Sequence, residues 1–166
     1  YSHIVTQTLF PDADTENVNT FEDAINSVLN GEASYCVVPI ENSSAGIVTD
    51  IFDLLLKKDV VIVAEYDLHI SHCLLGIKGA NFSDIKRVYS HPQALMQCAS
   101  YLKEHPEWSQ ISLLNTAVSA KKVKNEGKIE QAAIASELSA KLYGLDILDM
   151  GINRNSNNTT RFVVLS

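Results

Sequence analysis

Three polar segments of the chain stand immediately before runs with helical apolar spacing: Asn42-Ser43-Ser44 ahead of Ile47, Ser90-His91 ahead of Pro92, and Asn115-Thr116 ahead of Ala117. Ser, Thr and Asn are preferred helix caps and Pro suits the first helical position, so each segment reads as a cap. The same groups can also do chemistry. A helix N-terminus offers unpaired N–H donors to an anion, and three of them after strands can converge on one crevice at the carboxyl ends of those strands. These features define an α/β domain with an anion-binding cleft and no more, because no Ser-His-Asp order, phosphate loop or dinucleotide fingerprint accompanies them. Cys36, Cys73 and Cys98 are widely spaced in apolar or helical surroundings, with no Cys-x-x-Cys or His-x-x-x-His pattern, and read as buried free thiols. Neither a metal nor a cofactor is expected.

A chain of 166 residues, 46% hydrophobic, can bury one sizeable core or two small ones to hold such groups in place. The opening residues read as a helix to Phe10, stopped by Pro11. Thr20 caps a second helix with Phe21, Ala24, Ile25, Val28 and Leu29 on one face, closed by Asn30-Gly31. Tyr35 to Ile40 is an apolar, β-branched run suited to a strand buried on both faces, and a helix follows from Ile47 to Leu56. The extended stretch from Val60 to Ile77 exceeds one ordinary strand and is expected to cross from one lobe to another. Strand and helix then alternate: strands at 87–89, 111–114 and 132–135 lead into helices at 92–103, 117–125 and 137–142. Gly144 stops the last helix, a short strand spans 145–150, and the polar loop 153–158 delivers a terminal strand, 162–165. Such alternation predicts two lobes of mostly parallel sheet with flanking helices, the first lobe holding 1–69 with 151–166 and the second 70–150.

The formal net charge of −7 argues against nucleic acid as a partner, since a binder needs a basic stripe. An anionic substrate meets a repulsive mean field, so an arginine or helix N-termini must hold its charge locally. The longest apolar runs, such as Val60 to Ala64, fall far short of the roughly 20 residues of a membrane helix. With no basic, then apolar, N-terminal stretch either, a cytoplasmic protein is expected.

Val38-Pro39-Ile40-Glu41-Asn42-Ser43 with Gly46, Tyr89-Ser90-His91-Pro92-Gln93 through Gln97-Cys98, and Thr160-Arg161-Phe162 resemble, in order and across nearly the whole chain, the signature motifs of the prephenate dehydratases. The run as a whole looks closest to the dehydratase segment of the bifunctional bacterial enzymes that also carry chorismate mutase. The resemblance implies conversion of prephenate to phenylpyruvate with loss of water and carbon dioxide. It also implies a type 2 periplasmic-binding-protein-like fold with the active site in the cleft between two α/β lobes, a homodimer, and a parent chain with chorismate mutase and phenylalanine-binding ACT domains.

By the same resemblance, Thr160 is the hydrogen-bond or proton donor to the departing hydroxyl, and Asn42, Ser90 and Gln97 are polar active-site positions that hold the substrate's hydroxyl and carboxylates. Ser43, Ser44 and Thr116 are candidates for carboxylate binding at helix N-termini. If Thr160 and Arg161 both lie in a strand, they face opposite ways. Arg161 then either anchors the keto-acid carboxylate from a bent backbone or pairs structurally with an acid such as Glu41. Glu41 orients Asn42 or pairs with an arginine, and His91 is a neighbour or a proton relay. The family usually opens with a strand and a Gly-Pro-x-Gly-Ser/Thr loop ahead of Tyr1-Ser2-His3, so this chain is expected to lack them, as well as an ACT domain and its feedback inhibition. The rival reading is a non-catalytic two-lobed module for a small carboxylate; within the enzyme class, arogenate is the alternative substrate.

Overall fold

The apolar run after Tyr35 folds as β1 (Cys36–Asn42), the strand around which one half of the molecule is organised. The computed structural model describes residues 1–154 and 157–166, so Asn155 and Ser156 of the polar loop lie outside the described residues. The chain divides into two units, Tyr1–Ile70 with Asn157–Ser166, and Ser71–Ser156, each with its own sheet. The α/β class expected from the sequence is the one observed.

In the first unit, β2 (Gly46–Ile47), β1, β9 (Thr159–Leu165) and β3 (Ile62–His69) lie in that order. Every pairing is antiparallel, which corrects the expectation of a mostly parallel sheet. β1 reaches β2 through a turn at 43–45, and a connection that short can only reverse the chain; parallel neighbours need a crossover of a dozen or more residues. Pro39 sits next to a register shift between Pro39 and Glu41, a tolerable place for a residue that cannot donate to the ladder. Helices α1 (Ser2–Leu9), α2 (Phe21–Leu29) and α3 (Thr49–Lys57) pack against β1. Thr20 caps α2 as expected, its hydroxyl accepting the Asp23 N–H. Ile25, Cys36, Val38, Ile51, Val163 and Leu165 form the core of this unit.

In the second unit the sheet order is β6 (Ser109–Ser112), β5 (Arg87–Ser90), β7 (Gln131–Ala135), β4 (Cys73–Gly76) and β8 (Asp146–Asp149). Here β5 runs parallel to β6 and β7, while β4 is antiparallel to β7 and β8, so this sheet is mixed. Helical crossovers from β5 to β7 explain the parallel half; β4 enters from the first unit and slots between β7 and β8 in the opposite direction. The β7 residues are buried on both faces. Ala132 and Ile134 join Leu74, Val88, Leu95 and Trp108 on one side, and Ala133 and Ala135 join Leu75, Tyr89, Val123 and Ala140 on the other. Its alanines let helices approach the strand closely.

Two further expectations change. The helix expected over 92–103 is two, α4 (Pro92–Gln97) and α5 (Ala99–Leu102), separated at Cys98, so Gln97 ends a helix instead of lying within one. Residues 151–154, expected with the first lobe, belong to the second unit. The Ile152 N–H donates to the His72 carbonyl at 3.1 Å, Asn153 Oδ1 accepts the His72 N–H at 2.9 Å, and Arg154 grips Glu104 with both Nη atoms at 2.6 and 2.8 Å.

Ile134 is fully buried in the central strand of the second sheet. Ile134→Ala is expected to lower the unfolding free energy by about 2–5 kcal/mol, read as a lower urea midpoint at unchanged slope. A loss well below 1 kcal/mol would contradict the central place given to β7.

Candidate active site

Thr160 and Asn42 are 118 residues apart in sequence and face each other across the β1–β9 ladder. The Asn42 carboxamide is fully engaged, and its polarity follows from its partners. Its Oδ1 accepts the N–H groups of Ser44 and Ala45 at 2.9 and 3.0 Å, so Nδ2 must be the donor. Nδ2 donates to Thr160 Oγ1 at 2.7 Å and to Asn158 Oδ1 at 3.0 Å. Thr160 is 8% exposed, and among the described residues its hydroxyl accepts from Asn42 and has no acceptor for its own proton. That proton is left for whatever comes up to the site.

The backbone around Asn42 differs from expectation. Segment 42–46 was expected to end at a helix N-terminus with Ser43 and Ser44 as caps; it is instead a strand-reversing turn, in which Gly46 has φ +83° and the Asn42 side chain folds back on the N–H groups of Ser44 and Ala45. α3 begins only at Thr49, with no side-chain cap. Ser43 stitches the turn to the start of β9: its N–H donates to the Thr159 carbonyl, its hydroxyl donates to the Asn157 carbonyl, and it accepts the Thr159 N–H. Ser44 Oγ lies 3.4 Å from Asn158 Oδ1.

Arg161, next along β9, points to the opposite face, as strand alternation requires. Its register partners are Glu41 on β1 and Asp67 on β3, and it pairs with both. Nε donates to Asp67 Oδ1 at 3.2 Å and Nη1 lies 3.9 Å from Glu41 Oε2. The hydrogen bond to Asp67, more than any other influence, raises the guanidinium pKa further above its already high ordinary value.

The remaining candidates lie in the second unit. Ser90 is fully buried and donates its hydroxyl to the Ile134 carbonyl at 2.7 Å. His91 caps α4, its Nδ1 accepting the Gln93 N–H, so a neutral ring carries its proton on Nε2. Gln97 Oε1 sits 2.7 Å from Nε2 of His72, a histidine 2% exposed. Burial lowers the His72 pKa from its ordinary 6.5, opposed by the bond to Gln97. Asn115 caps α6 (Thr116–Glu126) through the Val118 N–H, and Thr116 is the first residue of that helix.

Thus Asn42, Thr160 and Ser44 come together with Asn158, Glu41 comes to Arg161, and Ser90, Gln97 and Thr116 belong to the other unit. Asn158 was missed by sequence reasoning because it sits in an Asn-rich loop that reads as a turn; the available signal was its period-2 phase with Thr160 and Phe162. His72 was not singled out, because nothing in its sequence neighbourhood marks it as buried against Gln97. Among the described residues no group of three His, Cys, Asp or Glu can hold a metal ion. A groove of about 1050 Å³ in the first unit, lined by residues such as Phe10, Val18, Tyr35 and Asp50, includes none of the predicted site residues.

The chain is a two-sheet α/β protein, and one family model runs along its whole length. The chain belongs to the prephenate dehydratase family, whose model matches residues 1–166. It is 38% identical over 170 residues to the bifunctional chorismate mutase/prephenate dehydratase of Buchnera aphidicola, covering 100% of this chain and 44% of that protein. The chain therefore spans less than half the length of that relative. Among solved structures, the prephenate dehydratase of Arthrobacter aurescens in complex with L-Phe superposes with a TM-score of 0.92 at 30% identity, covering 99% of this chain and 56% of that one. GqqA, described as a novel type of quorum quenching acylase, superposes at 0.90 and 36% identity, with 100% and 60% covered. A putative methionine-binding lipoprotein of Bacillus subtilis, 8% identical with a TM-score of 0.51 over 98% of this chain and 76% of that one, shares the fold alone. The fold is thus of the type 2 periplasmic-binding-protein kind.

The lowered His72 pKa has a consequence for stability. The folded protein binds this proton less readily than the unfolded chain, so the ring's effect is constant above pH 6.5 and turns destabilising as pH falls below that value. Denaturant midpoints are expected to drop between neutral and mildly acidic pH by more in the native chain than in His72→Gln. Parallel pH profiles for the two would refute this.

Proposed function

We propose that this chain catalyses the decarboxylative dehydration of prephenate to phenylpyruvate, a carbon–oxygen lyase reaction of L-phenylalanine biosynthesis. The observation that carries the reading is the one-way Asn42-to-Thr160 hydrogen bond, which leaves the Thr160 proton to donate. As the ring carboxylate of prephenate leaves as carbon dioxide, the electron pair of its bond moves into the ring and expels the hydroxyl from C4. That oxygen takes up one proton and departs as water. Aromatisation supplies much of the driving force, so the protein needs no covalent intermediate. A threonine hydroxyl is far too weak an acid for efficient general-acid catalysis at neutral pH. Thr160 therefore acts by hydrogen-bonding the departing oxygen from a preorganised position, and the proton comes ultimately from solvent.

Asn42 aligns Thr160 and is the second residue assigned to the reaction. Ser90 and Gln97 remain assigned to it, and Thr116 and Ser44 to carboxylate binding. The Ser43 hydroxyl has its donor role filled by the Asn157 carbonyl and its acceptor role by the Thr159 N–H, which favours a structural part for it. The pairing of Arg161 with Asp67 and Glu41 likewise favours the structural alternative over substrate contact. We place the chain in the cytoplasm, as a homodimer, within a parent protein that also carries chorismate mutase and ACT domains; the free thiols of Cys36, Cys73 and Cys98 suit a reducing compartment.

An acylase reading, by analogy with GqqA, lacks a comparable observation. Acyl transfer needs a hydroxyl or thiol paired with a base. Thr160 is bonded to a carboxamide and Ser90 to a backbone carbonyl, while burial pushes the Cys36 and Cys98 thiols up to about 11 and about 12. Incubation with prephenate, following phenylpyruvate, separates the dehydratase from a binding module, and competition with arogenate settles the preferred substrate. Thr160→Ala is expected to fold normally and lose about 100- to 1000-fold in kcat, whereas Thr160→Ser keeps much of its turnover. Near-normal kcat in the alanine variant, or equal loss in both, would refute the assignment.

A further inference from the structure

We infer that Asn158 is a positioning residue for this reaction: its carboxamide oxygen holds the Asn42 amide in the one orientation that makes Thr160 a directed donor. The inference rests on the dehydratase reading above. The two backbone N–H groups on Asn42 Oδ1 fix which end of that carboxamide is nitrogen. Nδ2 carries two protons, and their acceptors are Thr160 Oγ1 and Asn158 Oδ1. Were the second acceptor absent, the turn at 43–45 would still hold Oδ1, but one of the two hydrogen bonds that fix the nitrogen end of the amide would be lost, leaving its plane freer to turn away from the Thr160 hydroxyl. The same contact makes Oδ1 the Asn42-facing end of Asn158, so its Nδ2 faces away.

Two observations set Asn158 apart from an ordinary turn asparagine. It is 1% exposed, and its Nδ2 is buried without a hydrogen-bond partner among the described residues. A fold selected for stability alone has little reason to keep such an atom, since a buried donor without an acceptor forfeits its hydration. Its place is also tied down: the Asn158 carbonyl accepts the Ile70 N–H at 2.7 Å, anchoring the approach to β9 against the end of β3. Asn158 is thus held by its backbone, uses its oxygen on Asn42, and leaves its nitrogen unpaired.

The test is a double-mutant cycle on prephenate turnover, with thermal melts of each variant. Asn158→Ala is expected to lower kcat on the order of 100-fold with KM little moved, because the residue orients Asn42 and does not touch the substrate. In an Asn42→Ala background the same change is expected to cause no further loss. Asn158→Asp, which keeps an acceptor opposite Asn42 and gives up the unpaired N–H, is expected to retain much more activity than the alanine variant. Should the alanine variant fail to fold, Asn158→Gln, which displaces the carboxamide by one methylene, replaces it in the cycle. Normal kcat in the disrupting variant, losses that multiply in the double variant, or an Asp variant no better than Ala each overturn the inference. A native chain that releases no phenylpyruvate overturns the dehydratase reading itself, and this inference with it.

Discussion

The site in the first unit depends on the insertion of β9 between β1 and β3. Without it, β1 has only the two-residue β2 beside it, β3 has no partner, and the Asn42 amide loses the Thr160 hydroxyl. With it, one register does three things at once. Phe162, 2% exposed, meets Pro39 and Tyr66; Arg161 meets Glu41 and Asp67; Thr160 meets Asn42 and Leu68. Because side chains alternate, a slip of one residue would send Thr160 to the face now held by Arg161 and would set a buried phenylalanine among carboxylates. The register is therefore held by apolar burial and charge together, and the chemistry is set by the same constraint.

This explains how an acidic protein can be read as acting on a dianion. With a formal charge of −7, the mean field opposes the approach of prephenate. The one arginine in the first unit's motif faces away from Thr160 and is shared between two carboxylates. The Asn42–Asn158–Thr160 network carries no formal charge at all. A neutral, oriented donor does not raise the charge of the site as the leaving oxygen becomes more negative, and its dipoles are already aligned. In the proposed reaction such a network would stabilise the departing oxygen without adding a positive charge that would hold back the ring carboxylate from leaving as carbon dioxide.

Much of the local structure was legible in the sequence because its causes are local. Thr20 and Asn115 cap the helices they were expected to cap, Gly144 ends α7 (Glu137–Tyr143) with φ +62°, and the β-branched and small-residue runs at 36–40 and 131–135 are strands. Strand direction was not legible: a period-2 pattern looks the same either way, and β4 and β9 enter their sheets from the other unit. The polar segment at 42–46 misled because Asn and Ser serve equally well as helix caps and as turn formers; which one applies depends on whether Gly46 reverses the chain. Thr160 was reached by motif. Asn158, which shares the Asn42 amide with it, was hidden in a loop whose composition says only that it turns.

The interleaving of the two units carries a consequence for how the protein is made. The second unit is one unbroken stretch, Ser71–Ser156, whose sheet needs nothing from elsewhere. The first unit has β9 downstream of that stretch, so its sheet cannot close until the intervening residues have been synthesised. On a ribosome the second unit can be complete while β1 and β3 still wait, two strands with open edges and no neighbour between them. The hydroxyl at Thr160 reaches Asn42 in the same step that gives β1 and β3 their shared neighbour, so the proposed site and the first unit's sheet are completed together.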